Sequence, residues 1–187
     1  MNILQNLLSL GKLARGSIND TTKPLLFTRQ LEKIIIHWIG PFPNHTLSGV
    51  RNWWENGSDG RGVRASAHYI VKDDLAMQCL PLNEIGWHSG DSRNNDSIGV
   101  EVIPMNAAGE FSQKTIDTLK ELVMHIKKQT GRDLKIERHY DGMQKKDCPR
   151  YYTPVTSLLD GGGRVYNPID GDTRWESLKA FLGGDSE

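Results

Sequence analysis

A run of three isoleucines that ends in a histidine is the feature that most constrains the fold. In residues 31–38 (LEKIIIHW), Ile34, Ile35 and Ile36 stand between polar residues, and His37 follows directly. A short unbroken apolar run of this length suits a buried central strand better than a helix. The sequence therefore predicts a buried strand with His37 at its C-terminal end.

The rest of the chain alternates predicted helices with predicted strands. The helices are expected at residues 46–56, 112–130 and 172–182, and the strands at 65–71, 75–80, 98–103 and 134–139. The first two of these strands form a hairpin, because only a short polar turn separates them. In residues 98–103 (IGVEVI), three apolar side chains share one face, while Glu101 points to the other. This order predicts an α/β fold, a single domain with a mixed central β-sheet flanked by helices.

The N-terminal segment is expected to be an extension of that domain. Residues 1–30 are assigned to it, with a short helix near the start whose apolar face consists of Ile3, Leu4, Leu7 and Leu8. The basic residues follow the apolar stretch here, whereas a secretory signal needs them before it. We therefore expect synthesis in the cytoplasm without a signal peptide.

Composition excludes several classes of partner. Lysine plus arginine and aspartate plus glutamate number 23 each, so the net charge favours neither nucleic acid nor an anionic membrane. Hydrophobic residues make up 37% and charged residues 25%, which is too polar for a membrane span. We expect a monomer with no nucleic-acid partner and no stable membrane insertion.

Two histidines and a cysteine are the candidate metal ligands. Catalytic zinc is usually held by three protein ligands of the His, Cys or carboxylate type. His37, His139 and Cys148 fit that set, since both histidines lie at predicted strand ends and Cys148 follows in a polar loop. The alternative from the residues alone is that the histidines belong to the core or its rim and that Cys148 is a small buried thiol.

Six short motifs occur in a set order along residues 31–152. They read IIIHW, SAHYIVKDD, IGWHSGD, NDSIGVEV, ERHYDG and KKDCP. Together they resemble the type 2 N-acetylmuramoyl-L-alanine amidases, a family that includes phage lysins, bacillus cell-wall amidases and animal peptidoglycan-recognition proteins. The resemblance implies an amidase type 2 fold, with residues 31–187 as a zinc amidase catalytic domain that includes the last helix. It also implies hydrolysis of the amide between N-acetylmuramic acid and L-alanine in bacterial peptidoglycan, by an endolysin or autolysin.

The resemblance assigns the metal ligands residue by residue. His37, His139 and Cys148 match the three family ligands of Zn²⁺. Members that only bind peptidoglycan typically lack a ligand at the position of Cys148. The cysteine thus favours an enzyme over the main alternative, a non-catalytic peptidoglycan-binding module of the same fold. A regulatory protein that binds a polymerase is a further alternative, which nothing in this neutral sequence supports.

The resemblance also assigns two catalytic roles. Glu101 matches the glutamate that family enzymes place beside the reacting water, and Lys146 matches a lysine that faces the substrate carbonyl. Some phage members carry a tyrosine where this chain has Ala67, so the proton chemistry is expected to rest on Glu101. Without the family, Glu101 is a solvated strand carboxylate and Lys146 a surface lysine.

Three further residues are candidate substrate contacts. Trp87 and His88 match a loop that lines the substrate groove in the family, and Tyr69 is the third candidate. Trp87 can equally serve in packing. The protein is expected to act at the bacterial cell wall after its release by a holin or by lysis.

Overall fold

The computed structural model describes residues 2–8, 29–56, 65–153 and 168–184, and for residues 168–170 it describes the backbone alone. The strands are β1 (Asn2–Gln5), β2 (Lys33–Trp38), β3 (Tyr69–Lys72), β4 (Leu75–Gln78), β5 (Ser97–Val102) and β6 (Lys135–Arg138). The α-helices are α1 (Leu47–Asn56), α2 (Gln113–Thr130), α3 (His139–Gly142) and α4 (Pro168–Leu182). Short 3-10 helices span Ser92–Asn95 and Arg150–Tyr152. Among the described residues, no helix is long and apolar enough to span a membrane.

One mixed sheet organises the described residues. Its six strands lie in the order β1-β4-β3-β5-β2-β6, and β3 and β4 form its antiparallel pair. The other neighbouring pairs are parallel. This architecture confirms the predicted α/β class, the central position of the isoleucine strand and the hairpin.

Strand alternation gives the sheet two different faces. On one face, the apolar side chains of β2, β3, β5 and β6 pack with α2 and α4 into the larger core cluster. On the other face, α1 packs over β3 and β4 in a second cluster that includes Val50, Trp54 and Ile70. Successive residues of a strand point to opposite faces. Ile36 therefore lies in the larger core, while His37 lies on the face that α1 partly covers.

The helix boundaries follow local capping signals. Ser112 caps α2, where its side chain accepts a hydrogen bond from the Thr115 N–H, and Gly131 ends the helix in the left-handed conformation with φ 63°. Thr46 accepts a hydrogen bond from the Gly49 N–H at the start of α1. These ends agree with the predicted ones, whereas α4 begins four residues before the predicted position 172.

The prediction of an N-terminal helix is wrong for the described part of that segment. Residues 2–5 form the edge strand β1, which pairs in parallel with β4, and residues 6–8 continue from it without helical structure. Residues 9–28 lie outside the described residues. Pairing with an exposed sheet edge outweighed a weak helical periodicity over so few residues. Leu8 is buried in the core cluster beside α1, so this segment packs as part of the domain.

Candidate metal centre

The candidate residues meet at the edge where three parallel strands end. His37 is the penultimate residue of β2, Glu101 is the penultimate residue of β5, and His139 directly follows β6. β5 and β6 flank β2 on either side, and His37 is in register with Glu101. Sites in open α/β sheets form at such carboxyl ends. Topology thus brings together side chains that are far apart in sequence.

Cys148 completes a group of three potential metal donors. One ligand atom from each of His37, His139 and Cys148 lies within 4.8 Å of the other two. The Cys148 sulfur is 3.6 Å from Nδ1 of His37. A thiolate sulfur and an imidazole nitrogen that share a tetrahedral zinc ion are about 3.6 Å apart. The donor set and this distance therefore fit a zinc ion.

Both histidines use their second ring nitrogen within the protein. His37 Nε2 lies 3.0 Å from Nδ1 of His88, and His139 Nε2 lies 2.8 Å from the carbonyl oxygen of Ser89. The two rings contact each other edge to face, with centroids 4.6 Å apart. Nδ1 of His37 faces the Cys148 sulfur, and Nδ1 of His139 is the ring nitrogen that the contact with Ser89 does not use.

Burial keeps the histidines of this site neutral. It lowers the pKa of His37 well below its usual value, and the neighbouring His88 and His139 lower it further. Burial also lowers the pKa of His88, to about 3, and that of His139. A neutral imidazole offers a lone pair, which is the form that binds a metal ion.

Cys148, unlike the histidines, must become charged before it can bind a metal ion, because the ligand is the thiolate. Burial raises its pKa well above the usual value, and the charge of Glu101 adds to that shift, whereas Lys146 is among the groups that lower it. A coordinated cation deprotonates a thiol outright. The protein alone thus favours the thiol, and a bound cation would favour the thiolate that serves as a ligand.

Glu101 presents a buried oxygen without a partner. Its Oε2 atom has no solvent exposure and no hydrogen-bond donor among the described residues. Burial raises the pKa of Glu101 to about 8. An uncompensated carboxylate oxygen costs free energy in the folded protein, and perturbed carboxyls of this kind concentrate at functional sites.

The other predicted site residues differ in their exposure to solvent. Lys146 is exposed in the loop before Cys148, near enough to influence the pKa of both Cys148 and His139. Trp87 is 38% exposed and is available at the surface. Tyr69, by contrast, is fully buried in the larger core, because β3 directs it to the face that α2 covers. The prediction of a substrate contact at Tyr69 is corrected accordingly.

His88 lies beneath the surface and is 9% exposed. Its ring contacts His37 and rests on the sheet above Gly99, where a Cβ atom would approach the ring to 2.5 Å. This placement puts His88 against His37 and below the surface, which does not favour direct contact with substrate. The motif IGWHSGD pointed to His88, but the sequence does not show that His88 contacts His37.

Sequence reasoning missed two buried residues that hold the loop around His88. The Asn94 Oδ1 atom accepts hydrogen bonds from the backbone N–H groups of His88 and Ser89. Arg29, 4% exposed, donates to the carbonyl oxygens of Asn94 and Ser97. Arg29 was assigned to the N-terminal extension, and Asn94 stands in a polar run typical of a surface loop. Nothing in the sequence therefore indicated that either residue holds the loop around His88.

Comparisons with known proteins agree with this geometry. The profile of the N-acetylmuramoyl-L-alanine amidase family matches residues 27–151. The chain is 32% identical over 126 residues to the N-acetylmuramoyl-L-alanine amidase XlyA of Bacillus subtilis (strain 168), a match that covers 62% of the chain and 41% of XlyA. The chain spans less than half the length of the curated relatives it matches.

Solved structures show the same fold. The catalytic domain of XlyA superimposes with a TM-score of 0.66 at 25% sequence identity, covering 98% of this chain and 100% of that domain. A mutant endolysin from Bacillus subtilis has a TM-score of 0.67 at 24% identity, covering 97% of this chain and 99% of the endolysin.

Proposed function

The chain belongs to the N-acetylmuramoyl-L-alanine amidase family, and on that premise we propose that it is a zinc-dependent hydrolase of bacterial peptidoglycan. The bond cut is the amide between N-acetylmuramic acid and L-alanine, and the biological role is that of an endolysin or autolysin. The observation that carries the proposal is the group of His37, His139 and Cys148, whose donor atoms lie within 4.8 Å of one another.

Three residues would hold the zinc ion: His37 and His139 through Nδ1, and Cys148 through its sulfur. Two nitrogens and one sulfur make a catalytic donor set with a position left for water or substrate. When bound, zinc makes water available as hydroxide near neutral pH and polarises the scissile carbonyl.

Glu101 is the proposed base and acid. It is in register with His37 on the adjacent strand, and its Oε2 atom is unpartnered among the described residues. This oxygen accepts the proton of the attacking water and then returns it to the departing alanine nitrogen. Burial raises the pKa of Glu101 to about 8 in the protein without metal, and the charge of a bound zinc ion would lower that pKa and favour the carboxylate that accepts a proton.

Lys146 and Trp87 are the proposed substrate contacts at the surface of the site. The exposed ammonium of Lys146 would stabilise the oxyanion that forms on the scissile carbonyl, a contact worth roughly 3 kcal/mol in comparable sites. The exposed indole of Trp87 offers an apolar surface with a polar N–H for sugar or peptide. Action of this kind takes place at the bacterial cell wall, where the polymer is located.

The product of digestion tests the proposal. Purified peptidoglycan is incubated with the zinc-loaded protein, and new L-alanine amino termini and new reducing sugars are both measured. We expect amino termini without reducing ends, and we expect the Glu101→Gln variant to produce amino termini at least about 100-fold more slowly. Reducing ends without amino termini would indicate a glycosidase, and binding without either product would favour the non-catalytic module.

A further inference from the structure

One short loop contacts both candidate histidine ligands. His88 and Ser89, here called the orienting pair, lie between β4 and β5. Nδ1 of His88 is 3.0 Å from Nε2 of His37, and the Ser89 carbonyl oxygen is 2.8 Å from Nε2 of His139. We propose that the orienting pair sets the tautomer and the ring orientation of both histidines, so that each presents Nδ1 to the metal ion. The metal-binding part of this inference rests on the proposed function.

The tautomer of His139 follows from its partner. A carbonyl oxygen can only accept a hydrogen bond, so the Nε2 atom of His139 carries the proton. A neutral imidazole has one proton, and Nδ1 is then left with a free lone pair. Ser89 thus selects the ligand atom of His139 through its backbone.

The tautomer of His37 follows from a chain of three polar groups. The Ser97 hydroxyl donates to the carbonyl oxygen of Arg93, so its oxygen is free to accept from Nε2–H of His88, at 3.4 Å. His88 then has its lone pair on Nδ1, which accepts from Nε2–H of His37. His37 in turn faces Cys148 with an unprotonated Nδ1.

Buried contacts fix the orienting pair in place. The Asn94 Oδ1 atom accepts from the His88 N–H at 3.0 Å, from the Ser89 N–H at 2.9 Å and from the Ser89 hydroxyl at 2.9 Å. Gly99 leaves the space in which the His88 ring lies against the sheet. Partners that orient metal-binding histidines in this way typically change metal affinity by about 10- to 100-fold when they are removed.

The tautomers can be read directly in the wild-type protein. Long-range proton–nitrogen NMR spectra of the metal-free folded chain distinguish a protonated Nδ1 from a protonated Nε2. We expect His37, His88 and His139 all to carry the proton on Nε2. A proton on Nδ1 of any of the three would overturn the proposal, whatever the protein does to peptidoglycan.

A matched pair of variants tests the effect on the metal ion. Asn and Leu have the same shape, but only Asn retains an acceptor near the position of His88 Nδ1. Zinc affinity is measured by competition with a chelator, and unfolding of the metal-free proteins serves as the control for the fold. We expect His88→Leu to bind zinc roughly 10- to 100-fold more weakly than the wild type and His88→Asn to recover most of that loss.

Equal zinc affinities of the two variants would contradict the proposal, because the acceptor would then have no effect on the metal ion. A failure of the proposed function would look different. In that case the tautomers and the difference between the variants are as expected, but peptidoglycan yields no new amino termini. If His88→Leu does not fold, the tautomers of the wild type decide the question alone.

Discussion

The two faces of the central sheet differ although the same strands build them. Ile36 and Val100 point into a core of aliphatic and aromatic side chains under α2 and α4. Their neighbours in sequence, His37 and Glu101, point to the opposite face, where the polar residues of the candidate site are collected. Consecutive residues of one strand therefore serve different purposes: one packs in the core and the next lies in the candidate site.

The two groups of residues contribute to the free energy of folding with opposite sign. Burial of an Ile or Val side chain contributes about 1.5–3 kcal/mol. An unpartnered buried polar group such as the Oε2 atom of Glu101 instead costs about 1–3 kcal/mol. The apolar core thus supports a polar group of residues on the opposite face that is held in a less favourable arrangement, as is common at functional sites. Substitutions in the apolar core and in the candidate site should therefore have effects of different kinds.

The largest effect on activity is expected from Cys148→Ala, in the loop that contributes the thiol to the candidate site. Loss of the thiolate leaves two imidazole donors, so the variant should lose stoichiometric zinc and essentially all activity. Metal analysis and the amino-terminus assay check both results. Cys79→Ala is the matched control, because Cys79 is a free buried thiol in the cluster beside α1 and should leave zinc content unchanged.

Glu101→Gln should have the next largest effect, a loss of roughly 10²- to 10⁴-fold in turnover. The amide cannot take a proton from water, but the three metal donors are unaltered, so zinc content should remain at one ion per chain. Glu110→Gln provides the control, since that side chain contacts Asn106 away from the metal donors. Retention of full turnover in Glu101→Gln would remove this residue from the proton transfer.

Gly99→Ala should have an intermediate effect that reaches the metal ion only through His88. The added Cβ atom would lie 2.5 Å from the His88 ring and must displace it. We expect zinc affinity, measured by chelator competition, to fall by about 10- to 100-fold. Addition of His88→Asn should relieve the clash while keeping an acceptor, and it should restore part of the affinity. No recovery in the double variant would mean that the strand itself had been distorted.

The smallest effect on activity is expected from Ile36→Val, on the apolar face. Removal of one buried methylene group should lower the free energy of unfolding by about 0.5–1.5 kcal/mol in a denaturant titration. Zinc affinity and turnover below the unfolding temperature should equal those of the wild type. A large loss of zinc affinity in a folded Ile36→Val protein would break the distinction between the faces.

Local patterns predicted the fold where the interactions that stabilise it are local. The alternation in β5 and the capping of α2 by Ser112 and Gly131 depend on residues a few positions apart, and both were predicted correctly. The N-terminal segment was not, because its strand exists only through pairing with β4 more than seventy residues away. Tyr69 was misplaced for a similar reason, since its burial depends on which face α2 covers.

The sequence by itself determined the chemical identities of the site: two imidazoles, one thiol and a strand carboxylate, in an order typical of a known family. Only the tertiary structure decided their geometry. Cys148 approaches His37 across 111 positions of the chain, and His88 approaches it across 51. Contacts at such separations depend on strand order, register and loop packing, and no local pattern encodes which ring nitrogen will meet which partner.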